Sequence, residues 1–361
     1  MSTENTVKML DLYRQQTSTP RFLQGFFTSP ARNFHNTEDV EIDILREDED
    51  VAVTVADITA DGRLNEATRL TNKRFTPPVF KEAGPINAYR LIKRSAGQDP
   101  YQDPDYQANA MAASMDVTRR CAEKIRRTVE LMAAQVLQTG TLDLIDNSGA
   151  TTFQMNFSPK TTHFPNSTVD WATSATCTPI DDLEALADVI LTNGRSEVEN
   201  VILGRDALAG FRDSTQVQTL ADNRRYNLLM LDPPTMRGTG GKYHGTVAAG
   251  QYRMNIWSYT GRYKHPQTGV ITPYVDPDSA ILIAPGRLDL TWGGIPKIGA
   301  VDSRALPFMP NRVASTAGGI DLHQTAWVEK DNSGLTVQVA SRPLTIPTAI
   351  DTFGCLNTAG P

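Results

Sequence analysis

Glu130-Leu131-Met132-Ala133-Ala134-Gln135-Val136-Leu137-Gln138-Thr139-Gly140, read with the distant entry Asp103-Pro104-Asp105-Tyr106, decides the architecture of this chain. Between the two, Met111, Met115, Thr118, Ala122, Ile125, Val129, Met132 and Val136 recur at alternating spacings of four and three. That rhythm puts one nearly unbroken apolar stripe on a single helical face. The spacing predicts a helix over residues 105–139, started by Pro104 and the acids around it and ended by Gly140. At about 1.5 Å per residue it is roughly 50 Å long. The stripe reads first as a core seam; the other reading, a dimeric coiled coil, is weakened by Thr118 and the small residues within it. Arg119, Arg120, Lys124, Arg126 and Arg127 lie off the stripe. They form a solvated face or, in the sharper reading, a surface turned toward nucleic acid.

Upstream of the helix, charge is arranged in blocks. Residues 38–50 hold eight acids (Glu38, Asp39, Glu41, Asp43, Glu47, Asp48, Glu49, Asp50) against one base, Arg46. Residues 62–94 hold eight bases (Arg63, Arg69, Lys73, Arg74, Lys81, Arg90, Lys93, Arg94) against two acids, Glu66 and Glu82. The blocks can pair within one subunit, pair across to a neighbour, or stand as two solvated faces. Between subunits, complementarity of this kind sets register more than affinity. Val51–Ile58 alternates and is β-branched, which predicts a strand, punctuated by Asp61-Gly62. A polar excursion follows through Phe75-Thr76-Pro77-Pro78-Val79-Phe80 to a return strand near Ile86–Ile92. It is too long for a tight turn and too rich in proline and charge for a core element, so an extended hairpin reaching out of its own domain is expected.

Ahead of the blocks, Val7, Leu10 and Tyr13 recur at helical spacing behind the candidate caps Thr3 and Asn5. Then come Phe22, Phe26, Phe27 and Phe34, in a stretch broken by Pro20, Gly25 and Pro30. So short an element cannot bury four phenylalanines, which therefore need a surface elsewhere, in this subunit or in another.

Downstream of the helix a strand is expected over Thr151–Phe157, then a Ser/Thr/Pro-rich connection to Trp171. Ile180–Leu191 is an amphipathic helix stopped by Asn193-Gly194, Asn200–Gly204 a strand, and Asp206–Arg212 a further helix. Strands follow at residues 251–263 and 279–284. Trp327–Lys330 and Leu335–Ser341 flank Asp331-Asn332-Ser333-Gly334, a hairpin turn. Helices and strands mixed in this order read as α+β, and no internal repeat is present.

The totals exclude several functions. With 361 residues, 40% apolar and 21% charged, the chain suits two or three globular units. No run of apolar residues is long enough for a transmembrane helix, and the N-terminus has no basic region followed by an apolar run, so no secretory signal is expected. Cys121, Cys177 and Cys355 are odd in number and far apart, which suits a reducing compartment and gives no zinc spacing. A net charge of −6 argues against a protein whose main task is gripping nucleic acid. Arg237-Gly238-Thr239-Gly240-Gly241-Lys242 tempts a phosphate-loop reading but lacks the interval between glycines, the Ser/Thr after the lysine and a preceding buried strand. His35, His163, His244, His265 and His323 have no ligand partner at helical spacing. Asp181-Asp182 reads as helix capping, and Asp276-Pro277-Asp278 as a proline turn before a cation site. No Gly-x-Ser-x-Gly elbow is present. No catalytic, cofactor-binding or metal residue is expected.

In order and spacing these features resemble one family, the lambda-type phage major capsid proteins known as phage capsid protein E. The resemblance rests on Asp103–Tyr106 and Glu130–Gly140, on Phe75-Thr76-Pro77, on Asp181-Asp182-Leu183-Glu184 and Asn200-Val201-Ile202, on Asp222-Asn223-Arg224-Arg225, and on Ser341-Arg342-Pro343-Leu344. It implies an α+β protein of the Hong Kong 97-like capsid fold, with an N-terminal arm (1–45), an extended β-hairpin loop (46–94) and a peripheral domain (95–178) around a spine helix (105–139). An axial domain (179–315) and a return to the peripheral domain with a C-terminal tail (316–361) complete it. The implied function is a non-enzymatic shell subunit that assembles itself into the hexamers and pentamers of an icosahedral head enclosing double-stranded DNA. The implied partners are a separate scaffolding protein, a portal protein and a decoration protein, with no membrane, and the implied place is the virion capsid, assembled in the host bacterial cytoplasm. On this reading Phe22, Phe26, Phe27, Phe34, Glu47, Asp48, Glu49, Asp50, Arg63, Arg69, Lys73, Arg74, Phe75 and Phe80 make contacts between subunits, and the phenylalanines become buried only on assembly. Arg119, Arg120, Lys124, Arg126 and Arg127 then face the packaged DNA. The alternatives are a cellular nanocompartment shell of the same fold and a phosphate-binding α+β enzyme.

Overall fold

The computed structural model describes residues 21–30, 34–35, 40–46, 69–89, 106–146, 148–222, 229–236, 240–286, 288–295, 303–305, 307, 322–330 and 333–360. The expected N-terminal helix, the strand at Val51–Ile58, the acids Glu47–Asp50, Arg63 and the helix entry at Asp103–Asp105 lie outside the described residues.

The long helix is present as α1, Tyr106–Thr139. Gly140 ends it at φ +64°, its N–H donating to the Val136 carbonyl at 2.8 Å. A Cβ there would lie 2.3 Å from Cγ of Pro159, so a side chain is excluded twice, by backbone conformation and by space. The C-terminal half of the seam is as expected: Ile125, Val129, Met132 and Val136 are buried. The N-terminal half is not. Met115 is 53% exposed, and ahead of the expected Ala122, which is buried, the buried positions are Ala110, Ser114 and Cys121. The seam rotates because a sheet lies so close that only small side chains fit beneath it. A Cβ on Gly84 of that sheet would come within 2.6 Å of Val117 Cγ1.

That sheet has three antiparallel strands, β14 (His323–Val328), β15 (Gly334–Ser341) and β3 (Phe80–Asn87), in the order β14-β15-β3. The expected tail hairpin is thus present. The return strand, expected at Ile86–Ile92, lies earlier at Phe80–Asn87. Its Gly84-Pro85 spoils a strand reading, but among the described residues β3 is an edge strand, where proline is tolerated, and the glycine gives room for Val117. The span 46–94 therefore includes a strand, Phe80–Asn87, built into the body of the subunit.

A six-stranded sheet forms the other half, in the order β17 (Phe353–Asn357), β12 (Ser279–Ile283), β6 (Asn200–Leu203), β9 (Tyr252–Tyr259), β8 (Gly241–Ala249) and β7 (Leu229–Met236). Only β6 and β9 are parallel; the other neighbours are antiparallel. Alternation divides its faces. Ile202, Ile281 and Ile283 join the core that contains the end of α1; Val201, Leu203, Ala280 and Leu282 join the core under α2 (Pro179–Gly194), α3 (Arg205–Asp213) and α4 (Thr215–Asp222). With both faces covered, β12 is buried at every position, and each large side chain gains about 1.5–3 kcal/mol by leaving water. Two-stranded pieces complete the fold: β4 (Thr141–Ile145) with β5 (Thr151–Asn156), β10 (Arg262–Lys264) with β11 (Ile271–Pro273), β13 (Leu288–Trp292) with β16 (Pro343–Pro347), and β1 (Val40–Arg46) with β2 (Arg69–Phe75).

The start of α2 corrects a smaller expectation. Neither aspartate caps it: Asp182 accepts from the Trp171 indole at 2.9 Å and Asp181 from the Gln216 amide at 2.8 Å. Gln216 in turn accepts from the Ile180 N–H at 3.0 Å. The cap is supplied by α4, which no local pattern announces.

Candidate functional site

The residues expected to meet other subunits, and those expected to face DNA, fall into three groups. In the first, the β1–β2 ribbon, Val40 stands opposite Phe75, Glu41 opposite Arg74, Ile42 opposite Lys73 and Arg46 opposite Arg69. The end at Val40 is anchored in the core, with no exposed surface. Seven residues at about 3.3 Å each carry the other end roughly 20 Å away. Among the described residues the ribbon pairs with no third strand. A two-stranded ribbon is marginal by itself, and its open edges are templates for pairing. Phe80, expected in the same surface, packs partly buried against the body of the subunit.

The second group is the phenylalanine cluster, and here the structure corrects the expectation of burial only on assembly. Phe22 and Phe27 are 8% and 5% exposed within the single chain. Phe22 lies against Trp257 and Tyr259, with ring centroids 5.5 Å away in each case. Phe34 stacks on Trp292 at 4.6 Å, and Phe26 packs partly buried on the same core. A short 3-10 turn, Leu23–Phe26, makes this possible. It is held by Glu130 of α1, whose carboxylate accepts from the N–H groups of Leu23 at 2.8 Å and Gln24 at 2.9 Å and from the Tyr259 hydroxyl at 2.7 Å. Glu130 is fully buried. Burial raises its pKa above the ordinary 4.5, against the pull of Tyr259, Gln24 and Leu23; burial and the nearby carboxylate raise that of the Tyr259 phenol. One side chain thus joins the arm, the spine helix and strand β9. The sequence reading missed it, although a carboxylate beside Val129 and Met132 on the buried side of a long helix is itself a signal, since such a group is kept only with partners.

Arg342 was missed in the same way. It is buried, and its guanidinium donates to the carbonyls of Pro77 at 2.9 Å and Gly294 at 3.0 Å. It fixes the chain where the hairpin returns to the body.

The third group, the basic face of α1, is largely matched by acids. Arg119 and Arg120 both meet Asp116, Lys124 meets Glu82 at 3.0 Å, and Arg127 meets Glu123 at 3.7 Å. Exposed pairs of this kind stabilise little, but they reduce the field available to a phosphate backbone.

Elsewhere the chemistry is quiet. Among the described residues no three of His, Cys, Asp and Glu come together to hold a metal ion. All three cysteines are buried, and burial raises the Cys355 pKa to about 12. His163 is buried between the Phe353 carbonyl at 2.9 Å and the Asn193 amide at 3.1 Å. No helix among the described residues is long and apolar enough to cross a membrane.

The family of phage major capsid protein E matches residues 6–353. The chain belongs to that family. Its members are structural proteins of bacteriophage capsids, and the chain is a major capsid protein, a self-associating subunit of the virion shell. A prophage protein of E. coli CFT073, described as its capsid protein, superposes with a TM-score of 0.62 at 17% identity, covering 99% of each chain. At that identity the likeness speaks for the fold, which is Hong Kong 97-like. The capsid of Myoviridae phage XM1 gives a TM-score of 0.45 at 11% identity, over 99% of this chain and 98% of that one. The SrpI encapsulin of Synechococcus elongatus PCC 7942 gives 0.43 at 8%, over 100% and 96%. No curated protein sequence matches significantly.

Proposed function

We propose that this major capsid protein closes a phage head from hexamers and pentamers, with the β1–β2 ribbon reaching onto a neighbouring copy. The observation behind this reading is the contrast between a body whose sheets are covered and a ribbon that pairs only with itself among the described residues. The ribbon gains a third surface in a shell, and repeated contacts of ordinary size, about 1,600 Å² each, then stabilise the particle. The finer assignments of the arm (1–45), extended loop (46–94), peripheral domain (95–178), axial domain (179–315) and returning segment (316–361) belong to the same proposal. So do a separate scaffolding protein, a portal protein, a decoration protein, enclosed double-stranded DNA, work without catalysis and assembly in the bacterial cytoplasm. Because Arg126 has no ion pair among the described residues, it is the member of the basic face best suited to a phosphate. Electron microscopy of the purified chain, alone and co-expressed with a scaffold from the same phage, tests the reading. Closed particles of uniform size are expected; a monomer under both conditions would refute it.

A further inference from the structure

One cavity outside the surfaces described above has a chemistry that calls for an occupant. It measures about 390 Å³ and opens where β6 and β9 end side by side and α3 begins. Its floor is apolar, with Leu203, Tyr259 and Val275 buried. Its rim is basic: Arg205, Lys242, His244 and Arg262 line it, and no carboxylate among the described residues does. Arg205 is already paired with Asp206 at 2.8 Å. Lys242 and Arg262 take part in no ion pair among the described residues. His244 bonds to the Ser258 hydroxyl at 2.7 Å, and burial, with Lys242 and Arg212 nearby, lowers its pKa toward the neutral state. Two uncommitted cations thus stand over an apolar hollow. Lys242 is also the last residue of the glycine-rich run 237–242 that tempts a phosphate-loop reading.

The sequence holds a matching group. Glu47-Asp48-Glu49-Asp50 are four consecutive acids that follow immediately on the last register pair of the ribbon, Arg46 opposite Arg69. The bases of β2 stand opposite β1 itself, not opposite this run. Because the chain is a self-associating capsid subunit, a neighbouring copy can present them.

We propose that this pocket receives the acidic run Glu47–Asp50 of a second copy of the chain, with Lys242 and Arg262 as its counter-charges. The inference rests on the shell reading and deepens it by naming one contact. The methylenes of the acidic side chains suit the apolar floor, and a hollow of about 390 Å³ is too small to seat a duplex. Opposite charges brought together this way select the correct register of neighbours.

The test is a charge swap in the full chain. Lys242→Glu with Arg262→Glu, or lysines in place of Glu47–Asp50, should each lower particle yield at least tenfold while leaving the melting curve of the soluble subunit unchanged. Combining the two sets should restore particles. Failure of the combination to restore them overturns the proposal, whereas wild-type particles in the same experiment keep the shell reading standing. A second measurement identifies the occupant: Asp48→Cys with Arg262→Cys should give a ladder of disulfide-linked oligomers on a non-reducing denaturing gel, because the native cysteines are buried. An intrachain bond without a ladder would overturn the second copy as partner. So would stoichiometric binding of inorganic phosphate or ATP that Lys242→Glu abolishes without affecting particles, since the pocket would then serve a small anion.

Discussion

The six-stranded sheet and the β1–β2 ribbon are made of the same backbone ladder but solve opposite problems. In the sheet, β12 is covered on both faces and paired on both edges, by β6 and β17. Its residues Ala280-Ile281-Leu282-Ile283 read as a continuous apolar run, as a strand buried on both sides must. Among the described residues the ribbon has one partner per strand, and it carries Glu41, Asp43, Lys73 and Arg74 in its two strands. Charge on an open edge prevents indiscriminate pairing while leaving a surface that a complementary neighbour can use. On the proposed reading, stability of the subunit and competence to assemble are kept in different parts of the chain, so that one can be removed without the other.

The harshest way to break that comparison is to excise residues 47–68 and join Arg46 to Arg69 through Asn-Gly, a two-residue turn suited to the register pair they form. The subunit is expected to unfold at its usual temperature, and closed particles are expected to vanish from electron micrographs; particles of normal form would place assembly elsewhere. The reciprocal change, Leu282→Ala in the fully buried β12, is expected to cost about 2–5 kcal/mol. In urea titrations of the unassembled subunit the midpoint should fall accordingly, with no selective effect on contacts between copies.

A subtler change addresses the arm. Glu130→Gln keeps the size of the side chain but turns an amide toward three hydrogen-bond donors, at an expected cost of about 2 kcal/mol. Because the folded-state pKa of Glu130 is raised above its ordinary 4.5, its proton-linked contribution is fully present below 4.5 and declines as pH rises through the elevated value. The stability gap between wild type and variant should therefore narrow from pH 4 toward pH 8 in denaturation curves; a gap that widens would mean that the hydrogen bonds outweigh burial. Smallest of all is the pair Arg119→Ala and Arg120→Ala. Their partner Asp116 is shared and their side chains are 46% and 58% exposed, so no shift in the unfolding midpoint is expected. Only a slightly shallower salt dependence of DNA retention by filled particles should appear.

Much of this was legible in the residues, because it depends on neighbours in sequence. The spine helix and its glycine stop, the helix beginning at Pro179, the strand Asn200–Leu203 and the tail hairpin are all matters of spacing and turn chemistry; the spine helix and that strand lie within one residue of their expected bounds, while the first tail strand, at His323–Val328, lies earlier than the expected Trp327–Lys330. The rotated seam at Ala110, Ser114 and Cys121 was not legible. Large apolar residues mark a seam only where the partner stands off at ordinary distance, and here Gly84 and Val117 show that it does not. The arm phenylalanines were misjudged for a related reason: their cover comes from Trp257, Tyr259 and Trp292, more than two hundred residues away.

What the sequence determined by itself is the set of elements, the segregation of charge between residues 38–50 and 62–94, and a family resemblance carried by order and spacing. What only the tertiary structure decided is which surfaces are already used. Phe22 and Phe27 are committed to their own core, Asp181 and Asp182 to Gln216 and Trp171, and most of the basic helix face to nearby acids, while Lys242 and Arg262 are left over a cavity. The reason is physical: helix and strand periodicities are set within a few residues, whereas burial and charge pairing are summed over everything that comes within about 4 Å in space, and chain separation places no limit on that sum.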